Sequence, residues 1–464
     1  MNKRLWWGFV CELRLTVVAM LGLGLVSVRP AVAQTGYVVE DLGVLAGDTS
    51  SVAWAINANG DVVGWSMGQA GTRAFLYTDA RGMTALPSLR DRPRSVARDI
   101  NDAGVIVGSA NAGGTDLGHA VRWSGGSVQD LGTLDTGSYS EAWGVNNLGE
   151  VVGWSFTNGG SGLSGVHGFL YSDAGGLVDL TPLSDTGYAE DINDAGQVTG
   201  YKTAAGGAYH AFRWQEGTFR DLGVLPGLAY SFGWAINESG QVAGNSTSAS
   251  GNTEQLFRFT DGSGLLNLGG VGEHNTAWGI NASGDVVGTR GQSGKRALLY
   301  TDADGLQELN SLIDGSLGWV ILSAHDINDN GEIVGYASNS FTEQTHAVRL
   351  RPTDTPPPVC TFHCLVSTSI KLRILAAHAV RGRVTVLDEQ GIPLRNALVV
   401  GQWTQPNGTK RDQVAWTHLN GVAVFDTTGG RGTYTLTVIN IVLSRYTFDP
   451  AHSVLFQSFT VKAW

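Results

Sequence analysis

The chain has 464 residues and a formal net charge of −11; 15% of it is charged and 42% hydrophobic, with 65 glycines, 14 tryptophans and 12 prolines. It is long enough for more than one core, too apolar for disorder, and unlike a coiled coil in composition. Glycine at about twice average usage, dispersed and without a three-residue period, excludes collagen and points to tight turns between short strands, so an all-β fold is expected.

The N-terminus reads as an export signal. Lys3, Arg4 and Arg14 precede an apolar run from Leu15 to Val28, and Ala31-Val32-Ala33 supplies the small residues a signal peptidase needs, so cleavage is expected after Ala33. The run falls short of the roughly 18 residues that span a bilayer, and no later segment reaches that length, so no membrane span is expected. Residues 1–33 carry four basic residues and one acidic one, and their removal takes the charge to −14. Nucleic acid is therefore not an expected partner. The mature chain reads as a monomer that is secreted, periplasmic or at the cell surface.

The pattern Asn-x-x-Gly-x-x-x-Gly then occurs seven times, from Asn57, Asn101, Asn146, Asn193, Asn237, Asn281 and Asn328, at separations of 44, 45, 47, 44, 44 and 47 residues. Such a period suits four short strands per unit, as in propeller blades. The first strand ends in Ile-Asn or Val-Asn, as in Ser51 to Asn57; the Asn side chain can cap the turn and Gly60 can take the positive φ it needs. The second strand, Asp61 to Ser66, holds an interior glycine, Gly64, that recurs as Gly108, Gly153, Gly200, Gly244, Gly288 and Gly335 and signals a bulge or a close backbone approach. The third alternates large apolar residues, as in Arg73 to Tyr77 and His210 to Trp214. The fourth places apolar residues three apart, such as Val128, Leu131 and Leu134, and is read as a strand bending at its glycine.

Val39 to Leu45 matches the fourth-strand pattern but precedes the first complete unit, while the seventh unit stops after its third strand, Thr345 to Leu350. If the N-terminal strand joins the last blade, the ring closes and no seam stays open. A seven-bladed β-propeller over residues 34–351 is expected; an open solenoid would need polar caps that neither end offers. The tripeptide His210-Ala211-Phe212, with variants at His119, His167 and His346, lies among Asp-Leu-Gly-x-Leu and Ile-Asn-x-x-Gly motifs. This combination resembles the HAF-type extracellular repeat of bacterial secreted proteins, over about two thirds of the chain; the resemblance implies export and brings no established activity.

Residues 352–365 form a linker with Pro352, Pro356 to Pro358 and the pair Cys360 and Cys364. An exported protein favours a local disulfide there; a metal site with His363 would lack the remaining ligands of a tetrahedral shell. Residues 366–464 lack the repeat, and turns at Gly391, Asn420-Gly421 and Gly429-Gly430 separate apolar strands. This part resembles the immunoglobulin-like accessory sandwiches of bacterial secreted proteins, so a small β-sandwich with a spacing or adhesion role is implied. Residues 352–464 carry a net +4, which leaves −18 on the ring.

The first strand of a blade lies nearest the axis. At one position in that strand stand Trp54, Trp143, Trp234 and Trp278, and in the other units Arg98, Glu190 and His325, each followed by an acid: Asp99, Asp191 and Asp326. One reading packs the tryptophans between blades and hydrogen-bonds the aspartates to neighbouring turns; the other makes a polar channel mouth. Tyr139, Tyr230 and His274 at the loop entering the strand, with Tyr188 nearby, offer a rim that can stack on sugars or fill a partner's pocket. Asp326 to Gly331 opens like a calcium loop, but Ala337 stands where a bidentate Glu would be, so a capped turn is expected, with no metal and no cofactor. The leading expectation is a binding or cell-surface interaction protein whose partner is an extracellular glycan or protein. The alternative is a glycosidase or lyase using the axial acids, although no nucleophile elbow supports it.

Overall fold

The computed structural model describes residues 36–89, 94–111, 118–157, 165–181, 186–270, 274–291, 296–314, 317–339, 342, 344–353, 364–376, 379–388, 392–429, 431–443, 447–448, 453 and 456–461. The expected export signal and the cysteine pairing lie outside the described residues; of the pair, only the backbone of Cys364 is described, opening the strand Cys364–Ala376. The described residues form strands, turns and one 3-10 turn, Leu309–Ser311, and contain no α-helix. None of their elements is a helix long and apolar enough to cross a membrane.

Repeats 2 to 6, numbered by their asparagines, each fold into one four-stranded antiparallel sheet in chain order. Repeat 1 supplies Asp48–Ile56, Val62–Gly68, Gly71–Thr78 and Gly82–Ala85; repeat 7 supplies Trp319–Ile327, Ile333–Asn339 and Gln344–Thr353. The N-terminal strand Gly36–Gly43 pairs antiparallel with Gln344–Thr353, from Gly36 opposite Thr353 to Gly43 opposite Ala347. First strands of consecutive repeats touch, and that of repeat 7 touches that of repeat 1. This radial packing of small sheets is a β-propeller architecture.

Each first strand carries a bulge: its ladder to the second strand skips Trp54, Arg98, Trp143, Glu190, Trp234, Trp278 or His325. A bulge bends the strand and re-aims the extra side chain. Opposite it sits the repeated interior glycine, and a Cβ on Gly108 would stand 2.0 Å from the Val96 carbonyl oxygen, so only glycine fits.

The repeated asparagine does two jobs at once. Its Oδ1 accepts the amide four residues on, as Asn101 does from Val105 at 2.9 Å, which caps the hairpin. Its Nδ2 reaches the next repeat: Asn57 donates to the Asn101 carbonyl at 3.2 Å, Asn101 to Asn146 at 2.9 Å, and so on through Asn146, Asn193 and Asn237, while Asn328 donates to Asn57 at 3.1 Å. Buried backbone carbonyls at the strand ends are thereby satisfied across repeats.

Two further cross-links explain the other motif residues. The histidine of the third strand pairs with the aspartate of the fourth: His119 with Asp130, His167 with Asp179, His210 with Asp221. The arginine three residues after that position, which Gln255 holds in repeat 5, reaches an aspartate of the following repeat: Arg122 to Asp173, Arg213 to Asp261, Arg258 to Asp302. Between the chain's two ends the same contacts appear as His346 to Asp41 and Arg349 to Asp79.

The fourth strand departs from the expected bend. Ser127–Gly132, Thr218–Gly223 and Gly264–Gly269 stop at their glycines, where φ is +79°, +75° and +100°. The left-handed backbone breaks the ladder, and Leu134 and Leu225 bury themselves beyond the strand end. In repeats 1, 3 and 6 only four residues pair: Gly82–Ala85, Gly176–Asp179 and Gly305–Glu308.

The C-terminal strands form two four-stranded sheets. One contains Cys364–Ala376, Ala379–Leu387, Val422–Thr428 and Thr447–Phe448; the other Leu398–Thr404, Lys410–Trp416, Gly432–Val442 and Phe456–Val461. Val384 and Phe425 from the first and Trp403, Tyr434 and Leu436 from the second share one apolar core.

Candidate ligand pocket at the propeller axis

The bulged residues meet across the axis. The Trp54 ring lies 5.8 Å from that of Trp143 and 5.7 Å from that of Trp278, and stacks on His325 at 4.2 Å with 9° between planes. Repeats 1, 3 and 6 are not consecutive, so among the described residues these rings meet at and fill the axis at this level. The Arg98 guanidinium lies between two of them, 4.4 Å from Trp54 and 4.2 Å from Trp143, a doubled cation–π contact.

Charge in this plug is unbalanced. Arg98 binds Glu141 at 2.8 Å, and the Tyr139 hydroxyl donates to the same carboxylate at 3.3 Å. Glu190 is 4% exposed, and its Oε2 has no hydrogen-bond partner. Burial first, and the Glu141 charge second, push its pKa up to about 8 against the opposing pull of Arg98.

Asp99, Asp191 and Asp326 tie neighbouring repeats together. Each accepts two amides: Asp99 from Ile100 and Val145, Asp191 from Ile192 and Ile236, Asp326 from Ile327 and Ile56, at 2.7 to 2.9 Å. Burial raises Asp99 to about 6 and Asp326 to about 7, while Asp191 is pushed well above the usual range by burial and by Asp99. At the calcium-like loop, Asn328 Oδ1 accepts the amides of Asn330 and Glu332, so that side chain is spent on the turn.

Two residues before each bulge, the seven first strands present Val52, Val96, Glu141, Tyr188, Phe232, Thr276 and Ser323. Their partners on the second strands are Trp65, Ser109, Trp154, Tyr201, Asn245, Thr289 and Tyr336. In repeats 3 to 5 this layer is packed with rings. Tyr139 stacks on Trp154 at 5.2 Å, Tyr188 on Tyr201 at 4.7 Å, and Tyr201 meets Phe232 edge-on at 4.9 Å. Burial lifts the Tyr139 and Tyr188 hydroxyls to about 12.

In repeats 6, 7 and 1 the same layer holds Thr276, Ser323 and Val52, and there a cavity of about 720 Å³ opens. Its floor is Trp54, Trp278 and His325; its walls include Trp65, Tyr336 and His274, with hydroxyls from Ser50, Thr276, Thr289, Ser323 and Thr345. His274 is exposed and sits at φ +58°, a backbone state costly for a residue with a Cβ.

The sequence-selected residues therefore separate by level. His274 and His325 line the cavity; Arg98 and Glu190 belong to the plug; the three aspartates knit the strand ends; Tyr139 and Tyr188 pack on the filled side. Tyr230 is half-buried opposite Thr247. Sequence reasoning missed Trp65 and Tyr336, although the residue after the second-strand glycine is aromatic in four of the seven repeats: Trp65, Trp154, Tyr201 and Tyr336.

The chain matches no protein-family profile and no curated protein. Among solved structures it is similar to virginiamycin B lyase from Staphylococcus aureus, at 14% identity over 68% of this chain and 99% of that one, with a TM-score of 0.45. TolB from Acinetobacter baumannii gives 11% identity, 68% and 66% coverage and a TM-score of 0.34. A gluconolactonase from Xanthomonas campestris gives 10%, 69% and 91%, and 0.35. Likeness at this level carries no inference about activity.

Proposed function

We propose that residues 34–351 are a closed seven-bladed propeller in an exported binding protein, and that the ligand, an extracellular glycan or protein, enters the cavity above the axial plug. Closure is supported by the seam contacts His346–Asp41 and Arg349–Asp79, which repeat those inside the ring, and by Asn328 donating to Asn57. Export rests on the N-terminal pattern before Gln34 and on the HAF-type repeat. Residues 366–464 act, by their resemblance to immunoglobulin-like modules, as a spacer or adhesive arm.

The observation that carries the binding reading is the cavity itself: a filled axis below, an aromatic ladder on one side, and on the other a recess lined by aromatic faces and hydroxyls. A concave site with a few placed polar groups is the usual form of a ligand site. The glycosidase alternative loses support because the axial aspartates are each engaged by two backbone amides that hold strand ends.

The test is a glycan microarray and a surface-protein capture run with the mature chain from Gln34. Retention of a defined ligand is expected, without release of reducing ends. Absence of any retained ligand, or reducing-end release that disappears in Asp191→Asn, would overturn the reading.

A further inference from the structure

The cavity lies on the side of the axis where the layer above the plug is not filled by rings as it is in repeats 3 to 5. In repeats 3 to 5 the layer above the plug is closed by Glu141 with Trp154, Tyr188 with Tyr201, and Phe232 with Asn245. In repeats 6 and 7 the same register positions carry Thr276 with Thr289 and Ser323 with Tyr336. The fold plainly accommodates Phe or Tyr here, so the recess follows from residue choice and is not imposed by the propeller.

What occupies it can be read from the lining. The Trp54 and Trp278 planes meet at 90° with centroids 5.7 Å apart, and His325 lies parallel to Trp54. His325 and Arg98 cover the two faces of Trp54, so the floor offers ring edges, and the half-buried Trp65 in the wall is the ring on which the flat C–H face of a sugar can stack. Around these rings stand hydroxyls: those of Thr289 and Ser323 bond each other, and Ser50 and Thr345 lie side by side where the strands of repeats 1 and 7 pair. Among the described residues the lining contains no Asp, Glu, Lys or Arg. Residues 34–351 carry sixteen basic and thirty-four acidic residues, so the surrounding field repels anions.

We infer that the cavity binds an uncharged pyranose unit of a neutral glycan, stacked on the Trp65 wall above the Trp54, Trp278 and His325 floor and hydrogen-bonded by the Ser and Thr hydroxyls. This rests on the binding reading above and narrows it to one ligand class. Uronate, sialylated and sulfated chains are disfavoured by the acidic ring, since no Lys or Arg among the described lining residues would pair with them.

The experiment is calorimetric titration of the mature chain with hexasaccharides of β-1,4-glucan, β-1,3-glucan, α-1,4-glucan and β-1,4-mannan, and with a hexauronate of equal length. Binding of at least one neutral hexamer is expected, at least tenfold tighter than the uronate at low ionic strength. Thr276→Phe, which copies Phe232 of repeat 5, is expected to weaken that binding at least tenfold without lowering the thermal midpoint. Trp65→Ala, which removes a wall and adds no bulk, is expected to do the same and serves if Thr276→Phe misfolds.

Uronate binding as tight as neutral binding, or neutral binding untouched by both variants, would overturn the inference and leave the binding reading intact. Capture of a protein with no carbohydrate binding would also overturn it. Failure to retain any ligand would fall on the binding reading instead.

Discussion

Glu190→Gln keeps the shape of the axial plug and removes one titration from it. In the folded chain burial and the Glu141 charge hold Glu190 at about 8 in place of the ordinary 4.5, with Arg98 compensating only in part. The unfolded chain ionises near the ordinary value. The folded-state pKa is thus the higher one, so this group costs nothing below about pH 4 and lowers stability progressively up to about pH 8. At 1.36 kcal/mol per pH unit, the full loss is on the order of 4–5 kcal/mol. Urea unfolding followed by tryptophan fluorescence at about pH 5, 6, 7 and 8.5 measures it. Wild type and Glu190→Gln are expected to unfold at similar urea concentrations near pH 5, and the variant is expected to gain several kcal/mol over wild type by pH 8.5. The three aspartates titrate in both proteins and cancel in the difference. A difference that stays constant with pH, or a variant that loses ground as pH rises, would refute the reasoning.

Asn101→Ala removes the donor to the Asn146 carbonyl and the acceptor for the Val105 amide, so a loss of about 2–4 kcal/mol is expected in the same unfolding assay. Gly108→Ala drives a Cβ to 2.0 Å from the Val96 carbonyl oxygen, and a loss above about 3 kcal/mol or failure to fold is expected, read from soluble yield and thermal midpoint. Arg349 is 1% exposed and binds Glu40, Asp79 and the Gly60 carbonyl, so Arg349→Lys keeps the charge but loses the fork and should lower the thermal midpoint by several degrees.

The sheet repeat was legible because its markers are backbone requirements. Asn57 caps a turn, Gly60 takes φ +81°, and Gly64 faces a bulge, so each constrains residue type locally and recurs at a fixed period. The inter-repeat bonds of the asparagines and aspartates were only half legible. A hairpin cap is a contact four residues long, whereas the Nδ2 bond from Asn57 to Asn101 spans 44 residues and depends on how sheets pack. The cavity was legible least. Tyr139 and His274 occupy equivalent places in the repeat, yet one packs on Trp154 and the other lines a recess. The difference is made by second-strand residues and by small side chains at Thr276 and Ser323, which carry no motif.

The proposed closure of the ring by its first strand links the plug, the pocket and the seam contacts. Val38 is 57% exposed and stands opposite the exposed Arg351 in the pairing of Gly36–Gly43 with Gln344–Thr353. The direct measurement is Val38→Cys with Arg351→Cys in a chain whose Cys360 and Cys364 are serine, oxidised and mapped by mass spectrometry. An intramolecular disulfide is predicted to form nearly completely and to raise the unfolding midpoint until a reductant is added, since it closes a loop of more than 300 residues. Thiols that stay free, or that pair only between chains, would contradict closure.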